Sequence, residues 1–593
     1  MVYRRSCFFD IADYPLLFYH NPVSLKIYFS LALMSIIDWI ILIVTLVGII
    51  IYGVYKSRST KNLDGYFLTN RSMPWYLVLL SIMGTQASAI TFLSAPGQAY
   101  TDGMRFVQYY FGLPLATIVI CIVFVPAFRN MKFYTAYECL EERFDVKTRT
   151  FTSILFQLSR GLSTGISICA PSIILSSLLN WNIYWTNIFM GGLLIIYTMS
   201  GGAKAVAYTQ KLQLIIIIAG MLLAGYMVVH LLPAEIGFSD AVNIGGKGGR
   251  MNVITSGVNE EGFNWKDKYN ILSGIIGGFF LALSYFGTDQ SQVGRYLTAK
   301  DNRESKIGLL MNGLVKVPMQ FLILLVGVMV FAFYQYHKEP IYFDTAQASL
   351  AKQTVYRDSL INLEKQYETL TFQNDKVKIN EVKTQYKDVL KKALPRQEVN
   401  DTNYIFLRFV IDYLPKGLIG LLIAVIFLAA WGSIAAALNA LASCTVVDIH
   451  KKFIHKDLSP EKDYALSKVY TLCWGLFSIA VAVFASNLGN SLIETVNILG
   501  SLFYGVILGI FLVAFWFKKI KGNATFYAAI LSEGLVILIY KLNVISFLWL
   551  NVIGALLVII IGYIFQMLLF RSSDNKNKTF ANKPAEALDY NEN

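Results

Sequence analysis

Two long apolar stretches of this chain turn polar in the middle. One runs from Trp75 to about Gly97 and carries Gly84-Thr-Gln-Ala-Ser-Ala-Ile-Thr91. The other runs from about Leu418 to Val447 and carries Trp431-Gly-Ser433. Hydrocarbon penalises unsatisfied backbone and hydroxyl groups, so such interruptions persist only where they line a cavity or bind something. Freed helix carbonyls with nearby hydroxyls form mid-membrane ion sites in transporters. The pattern points to a carried solute rather than to catalysis.

The rest of the chain supports a membrane setting. Charged residues make up 15% of the 593 positions, against about 25% in an ordinary soluble domain. Apolar runs of about 20 residues span a bilayer, and about thirteen can be drawn: 37–55, 75–97, 106–128, 152–178, 182–199, 212–232, 271–290, 307–335, 417–447, 465–486, 491–517, 524–540 and 546–570. The expected fold class is an all-α polytopic membrane protein. The net charge of +13 does not call for nucleic acid, because the Lys and Arg residues gather in alternate loops. Arg129 to Arg149, Lys204 with Lys211, Arg295 to Lys306, Lys451 to Lys468 and Lys518 to Lys521 fall on one side. The positive-inside rule makes that side cytoplasmic, with the N-terminus outside and the C-terminus inside. The chain is expected in the plasma membrane, or the inner membrane of a bacterium, with lipid, solute and ion as its partners. Six scattered cysteines show no metal-ligand spacing, and neither a Walker A motif nor a zinc-protease motif is present. No nucleophile–base constellation marks an enzyme.

Residues 1–36 read as an extracytoplasmic N-terminal segment. Arg4 and Arg5 before the apolar patch Ile27 to Leu33 imitate a signal sequence, and Met34 offers a natural later start. Span 37–55 reads as peripheral. Residues 75–232 and 271–517 overlay as two inverted five-helix halves, the second interrupted by a charged outer insertion at 338–402 with helical character over Ser349 to Lys392. Spans over 524–570 are peripheral, and 571–593 form a polar cytoplasmic tail. The first helix of each half, around Gly84 and from Gly274 to Gln290, is polar and glycine-containing in its middle, the best pointer to a site in an inverted-repeat transporter.

Two basic residues lie deep in spans. Arg160 sits about 12 Å from the nearer end of its helix, and Lys316 is similarly placed. Charges at that depth are functional candidates. Their targets are either a solute carboxylate, matched by a guanidinium fork, or an internal acid such as Asp289 or Glu494.

Five strings carry a resemblance: Ser88-Ala-Ile-Thr-Phe-Leu-Ser-Ala-Pro-Gly97, Thr135-Ala-Tyr-Glu-Cys-Leu-Glu-Glu-Arg-Phe144, Ser200-Gly-Gly-Ala-Lys-Ala-Val206, Gly287-Thr-Asp-Gln-Ser-Gln-Val-Gly-Arg295 and Leu438-Asn-Ala-Leu-Ala-Ser-Cys-Thr-Val-Val-Asp448. In this order the chain resembles the sodium:solute symporter family over nearly its whole length. The resemblance implies a LeuT-like fold with a 5+5 inverted repeat and sodium-driven solute uptake. Carried over by motif, the sodium ligands are the carbonyls of Gly84, Ala87 and Ala429 and the hydroxyl of Ser433. Gly432 stands where the family often has a second hydroxyl, so water or a neighbour must replace it. Gln210 stands where an acidic residue is frequent, which leaves sodium stoichiometry open. Ser88, Thr91 and Arg160 match positions that hold the carboxylate end of the substrate in sialic acid symporters. The Ser-Ala-x-Thr-Phe-Leu-x-x-Pro pattern also resembles the iodide, vitamin and monocarboxylate branch. Lys316 and Tyr285 match sugar contacts of the sodium/galactose symporter, whereas Thr91, Tyr110, Ala282 and Val496 depart from that pattern. Tyr110, Gln108 and Asn497 can complete a polar pocket.

The expected function is a sodium-coupled symporter importing a small polar organic solute, a carboxylate such as sialic acid. A sodium/sugar symporter for glucose, galactose or inositol is the alternative. A solute-sensing membrane receptor is the reading from another class, and the short tail after Arg571 speaks against it.

Overall fold

The computed structural model describes residues 34–57, 68–130, 133–179, 181–373, 376–395, 397, 399–455, 459–485 and 491–570. The expectations for the first 33 residues and for the tail from 571 lie outside them. Among the described residues, ten helices are long and apolar enough to cross a membrane, or eleven if one sharply bent pair is a single span. Two shorter apolar helices, Ile183–Met199 and Ser273–Thr288, fall on two of the other expected spans.

Helix α1 (Ile36–Ser57) presents most of its apolar side chains outward, as a lipid-facing helix does. It is tied inward by Asp38, whose buried carboxylate caps the helix start at Ser35 and accepts from the amides of Gly417 and Gly420 at 2.6 and 3.1 Å. Next come α2 (Trp75–Gln86) and α3 (Ala89–Asp102), the bent pair, which meet at 60°. The expected interruption after Gly84 is therefore a true break. Span α4 (Met104–Asn130) starts as a 3₁₀ turn and carries a π segment at Ile120–Phe124. A short helix α5 (Glu138–Arg143) leads into α6 (Val146–Leu179).

The spans expected at 182–199 and 212–232 are not separated by a loop. Helical backbone is continuous through α7 (Ile183–His230). Residues twelve apart in a straight helix are about 18 Å apart, yet the hydroxyls of Tyr197 and Thr209 lie 2.8 Å apart. The run must bend sharply between them. The sequence Ser200-Gly-Gly permits this, and the apolar limbs keep the identities expected of them.

After α8 (Phe238–Lys247) and a small hairpin of β1 (Val258–Asn259) and β2 (Gly262–Phe263), a second interrupted helix follows. Helix α9 (Gly278–Thr288) stops at Asp289, which leaves helical geometry and caps α10 (Gln290–Leu297) by accepting from the Ser291 amide at 2.8 Å. An aspartate N-cap both ends one helix and starts the next. Helix α11 (Asn302–Phe333) runs back across.

Residues 338–402 hold α12 (Thr345–Ala351), α13 (Arg357–Gln373) and α14 (Lys376–Ala393) around a small core of their own that includes Tyr342, Leu360 and Tyr386. Glu339 fastens this unit to α3 by accepting from the Tyr100 hydroxyl at 2.5 Å. Asp344 caps α12 by accepting from the Gln347 amide at 3.0 Å. Burial, aided by the nearby Asp401 charge, pushes the Asp344 carboxyl up to about 6. A group that holds its proton more tightly when folded adds stability as pH falls through its folded value, and that stability is absent above it. A rise of about two pKa units corresponds to about 3 kcal/mol. The insertion is expected to be more stable at pH 5 than at pH 7.5. Asp344→Asn flattens that dependence while keeping the cap, as amide exchange of α12 would show. An unchanged pH profile in the variant would contradict this role.

Helix α15 (Ile405–Tyr413) precedes α16 (Leu418–Phe453), which turns π-helical over Thr445–His450. This span is unbroken through Trp431-Gly-Ser433, so its polar interruption is one of side chains, not of backbone. Helices α17 (Pro460–Ala485), α18 (Leu492–Trp516), α19 (Gly522–Leu542) and α20 (Phe547–Leu568) complete the bundle.

Candidate functional site

The break between α2 and α3 releases two carbonyls. In an unbroken helix the Ser88 amide would bond the carbonyl of Gly84 and the Thr91 amide that of Ala87. Here Ser88 N–H goes to Gln86 O at 2.9 Å and Thr91 N–H to Ser88 O at 2.9 Å. The Gly84 and Ala87 carbonyls are left off the ladder, as helix termini leave theirs. Helix α16 passes directly beside them. A Cβ placed on Gly432 would lie 3.6 Å from the Gly84 carbonyl oxygen. Ser433, one residue on, bonds its own helix at Ala429 O (3.0 Å) and Ala430 O (3.1 Å). Gly84, Ala429, Gly432 and Ser433 thus meet in one neighbourhood.

The glycines there also serve packing. A Cβ on Gly84 would meet Gln210 Cβ at 2.9 Å, and one on Gly432 would meet Gln213 Oε1 at 2.6 Å. Both glutamines come from α7. Gln210 clamps three helices: it accepts from Ser81 Oγ at 2.8 Å and donates to Thr85 Oγ1 and to Gly432 O at 3.1 Å each. Its amide fills the position that prompted doubt about a second ion. Gln213 Oε1 occupies the space left by the missing Gly432 side chain, so an oxygen is present where a hydroxyl was expected to be lost. Nothing in the local sequence around Gly432 pointed to Gln213, because it arrives from another helix.

A cavity of about 120 Å³ opens beside the break. Of the residues expected to contact solute, Ser88, Thr91, Tyr110, Arg160, Tyr285 and Asn497 line it, and Ser433 does too. Thr164 and Ser167 join them from α6. They follow Arg160 by four and seven positions, the spacing of one helix face, so this pair was legible. Gln108 is elsewhere: its amide serves Thr255 and the Tyr269 carbonyl.

Lys316 is not in the cavity wall. It is fully buried in α11, with its ammonium 5.5 Å from the centre of the Tyr110 ring. Among the described residues Nζ has no hydrogen-bond partner. It pairs with neither Asp289 nor Glu494, the latter being taken by Lys268. Tyr110 lines the solute cavity and Lys316 does not. Its depth was legible; the direction of its side chain was not.

Arg160 makes the internal pair that was one of its two anticipated roles, and it also lines the cavity. One end of its guanidinium pairs with Asp289 and meets the Tyr504 hydroxyl at 2.9 Å, while Tyr504 donates to Asp289 at 2.8 Å. Asp289 is further held by the Ser291 hydroxyl at 2.5 Å. The guanidinium lies over the Tyr285 ring at 5.3 Å, and among the described residues its Nε has no hydrogen-bond partner. The acid that terminates α9 therefore fixes the arginine of α6 at the cavity wall. Tyr504 carried no sequence signal; it reaches the pair from α18.

The assembly of a bent helix with freed carbonyls, a hydroxyl-bearing partner helix and a polar cavity matches what comparison with known proteins finds. The profile of the sodium:solute symporter family matches residues 66–357 and 386–532. The unmatched stretch falls on the α13–α14 hairpin. The sodium/sialic acid symporter NanT of Aliivibrio fischeri is 26% identical over 533 residues, covering 89% of this chain and 92% of NanT. SiaT of Proteus mirabilis, also a sodium/sialic acid symporter, is 26% identical over 532 residues, covering 89% of this chain and 94% of SiaT. A solved structure of a Na⁺-coupled sialic acid symporter in a substrate-bound outward-open state superposes with a TM-score of 0.72 at 24% identity, over 90% of this chain and 98% of that one. The expected fold is borne out by that likeness. The family match spans most of the chain, and the chain belongs to the sodium:solute symporter family.

Proposed function

We propose that this symporter carries a small organic carboxylate, such as a sialic acid, into the cell with sodium. The observation that carries the reading is Arg160: a largely buried guanidinium, anchored by Asp289 and Tyr504, that lines a cavity with Ser88, Thr91, Thr164 and Ser167. An oriented guanidinium with surrounding hydroxyls suits a carboxylate with polar substituents. The relatives named sodium/sialic acid symporters support the same class. A hexose is favoured less, because Lys316, one of its two matching contacts, does not line the cavity.

Sodium is assigned to the carbonyls of Gly84, Ala87 and Ala429, the Ser433 hydroxyl and the amide oxygen of Gln213. Hard oxygen donors suit this cation. Because the same break supplies Gly84 and Ala87 on one side and Ser88 and Thr91 on the other, sodium and solute order one segment. Each then raises the affinity for the other by the same factor. The N-terminus is placed outside and the C-terminus inside by the loop charges.

Purified protein warmed in sodium or potassium with sialic acids, monocarboxylates and hexoses tests this. A ligand that binds the folded state raises its stability. A carboxylate is expected to raise the melting temperature in sodium and far less in potassium. A hexose that does so while all carboxylates fail would overturn the proposal.

A further inference from the structure

An apolar recess separate from the solute cavity lies between the second limb of α7 and the outer half of α11. It encloses about 390 Å³. Its floor is buried: Phe92, Met221, Ile323, Val326 and Met329 are each less than a tenth exposed. Its rim is open: Ile218, Leu222, Tyr226 and Leu322 are 39%, 57%, 63% and 48% exposed. Both walls belong to helices long and apolar enough to cross a bilayer, so the rim faces acyl chains. The lining is almost wholly apolar, which excludes a polar solute from it.

The length of the groove narrows the occupant. It runs from Ile218 to Val229 on α7 and from Met319 to Met329 on α11. At 1.5 Å per residue that is about 15 Å, half of the hydrocarbon core of about 30 Å. At one end Tyr226 stacks on His230 at 5.7 Å and Phe238 of α8 closes the mouth, the aromatic and polar dress of a membrane interface. At the other end the groove reaches the mid-span depth of α11. A single extended chain from one leaflet fits that run.

We propose that this groove is a binding site for one phospholipid acyl chain. Gly225 leaves the groove open where it lines it; a Cβ there would approach Val326 Cγ2 at 3.3 Å. Phe92 on the floor is the neighbour of Thr91, which lines the solute cavity. The acyl chain and the solute therefore press on two faces of one turn of α3 about 100° apart, just past the break. The inference stands whatever solute the cavity takes.

The test uses the full chain in nanodiscs containing phosphatidylethanolamine with a photoactivatable diazirine in the acyl chain, read by peptide mass spectrometry. Adducts are expected several-fold denser on 218–229 and 319–329 than on α1, which is the more exposed helix. Gly225→Leu, which fills the groove, is expected to remove that excess and leave α1 labelling unchanged. Val326→Phe fills it from the other wall should the first variant fail to fold. Labelling of the groove no denser than that of α1, or an excess that survives filling, would overturn the proposal. Solute-induced melting shifts, measured separately, report on the carboxylate reading and not on this one.

Discussion

Arg160→Ala is expected to abolish uptake of an anionic solute and to weaken the fold in the same step. The two effects have different origins. Removing one partner of a buried ion pair leaves the other charge uncompensated, which costs about 3–5 kcal/mol. Here the stranded group is Asp289, fully buried and left with Tyr504 and the amide and hydroxyl of Ser291. Loss of the charged contact to a carboxylate costs a further factor in affinity, about 100-fold or more for about 3 kcal/mol. Arg160→Lys separates them. A lysine keeps a cation opposite Asp289 and restores most of the stability, yet it lacks the second edge of the fork. Uptake of the carboxylate should remain strongly reduced while the melting temperature in sodium-free buffer returns close to that of the parent. If Arg160→Lys transports normally, the guanidinium does not read the solute, and the pair with Asp289 is its whole role.

This pair illustrates which features the sequence makes legible. The depth of Arg160 and the acid of Asp289 were both visible in it, and an internal pair was one of two readings left open. What settled the geometry was the end of α9 at Asp289, a tertiary fact. The break at Ala87 and Ser88 was legible because Gly84 to Thr91 place polar groups where lipid would reject them. The matching feature in α16 is polar in its side chains alone: its helix is continuous, since a serine hydroxyl can bond its own preceding carbonyls and needs no unwinding. The join inside α7 was missed because a Gly-Gly pair reads as a loop when the backbone can bend and stay helical. Tyr504 and Gln213 were invisible for a common reason. Each reaches the site from a helix more than 200 residues away from the residues it meets, and an apolar span shows which residues it holds but not which way it is turned.

Ser433→Ala should leave the protein folded but raise the sodium needed for uptake about tenfold, equivalent to about 1.4 kcal/mol. Among the described residues the hydroxyl bonds only carbonyls of its own helix, and those keep their backbone partners. Its removal therefore costs little in stability, unlike the loss of Arg160. The melting temperature in potassium should be unchanged, and the rise on adding sodium should shrink. Gln213→Ala is expected to give the same sodium phenotype, because its Oε1 stands in the gap at Gly432. The two changes share one cation, so their effects should couple and not add. Gly432→Ser offers the reverse probe. Its Cβ must displace the Gln213 amide, the far end of a flexible side chain, and in doing so exchanges one oxygen for another. Sodium dependence in that variant should stay near that of the parent, while Gln213→Ala made in its background should lose its effect. Full sodium dependence in Ser433→Ala would remove the hydroxyl from the proposed ligand set, and an additive double variant would place Gln213 outside it.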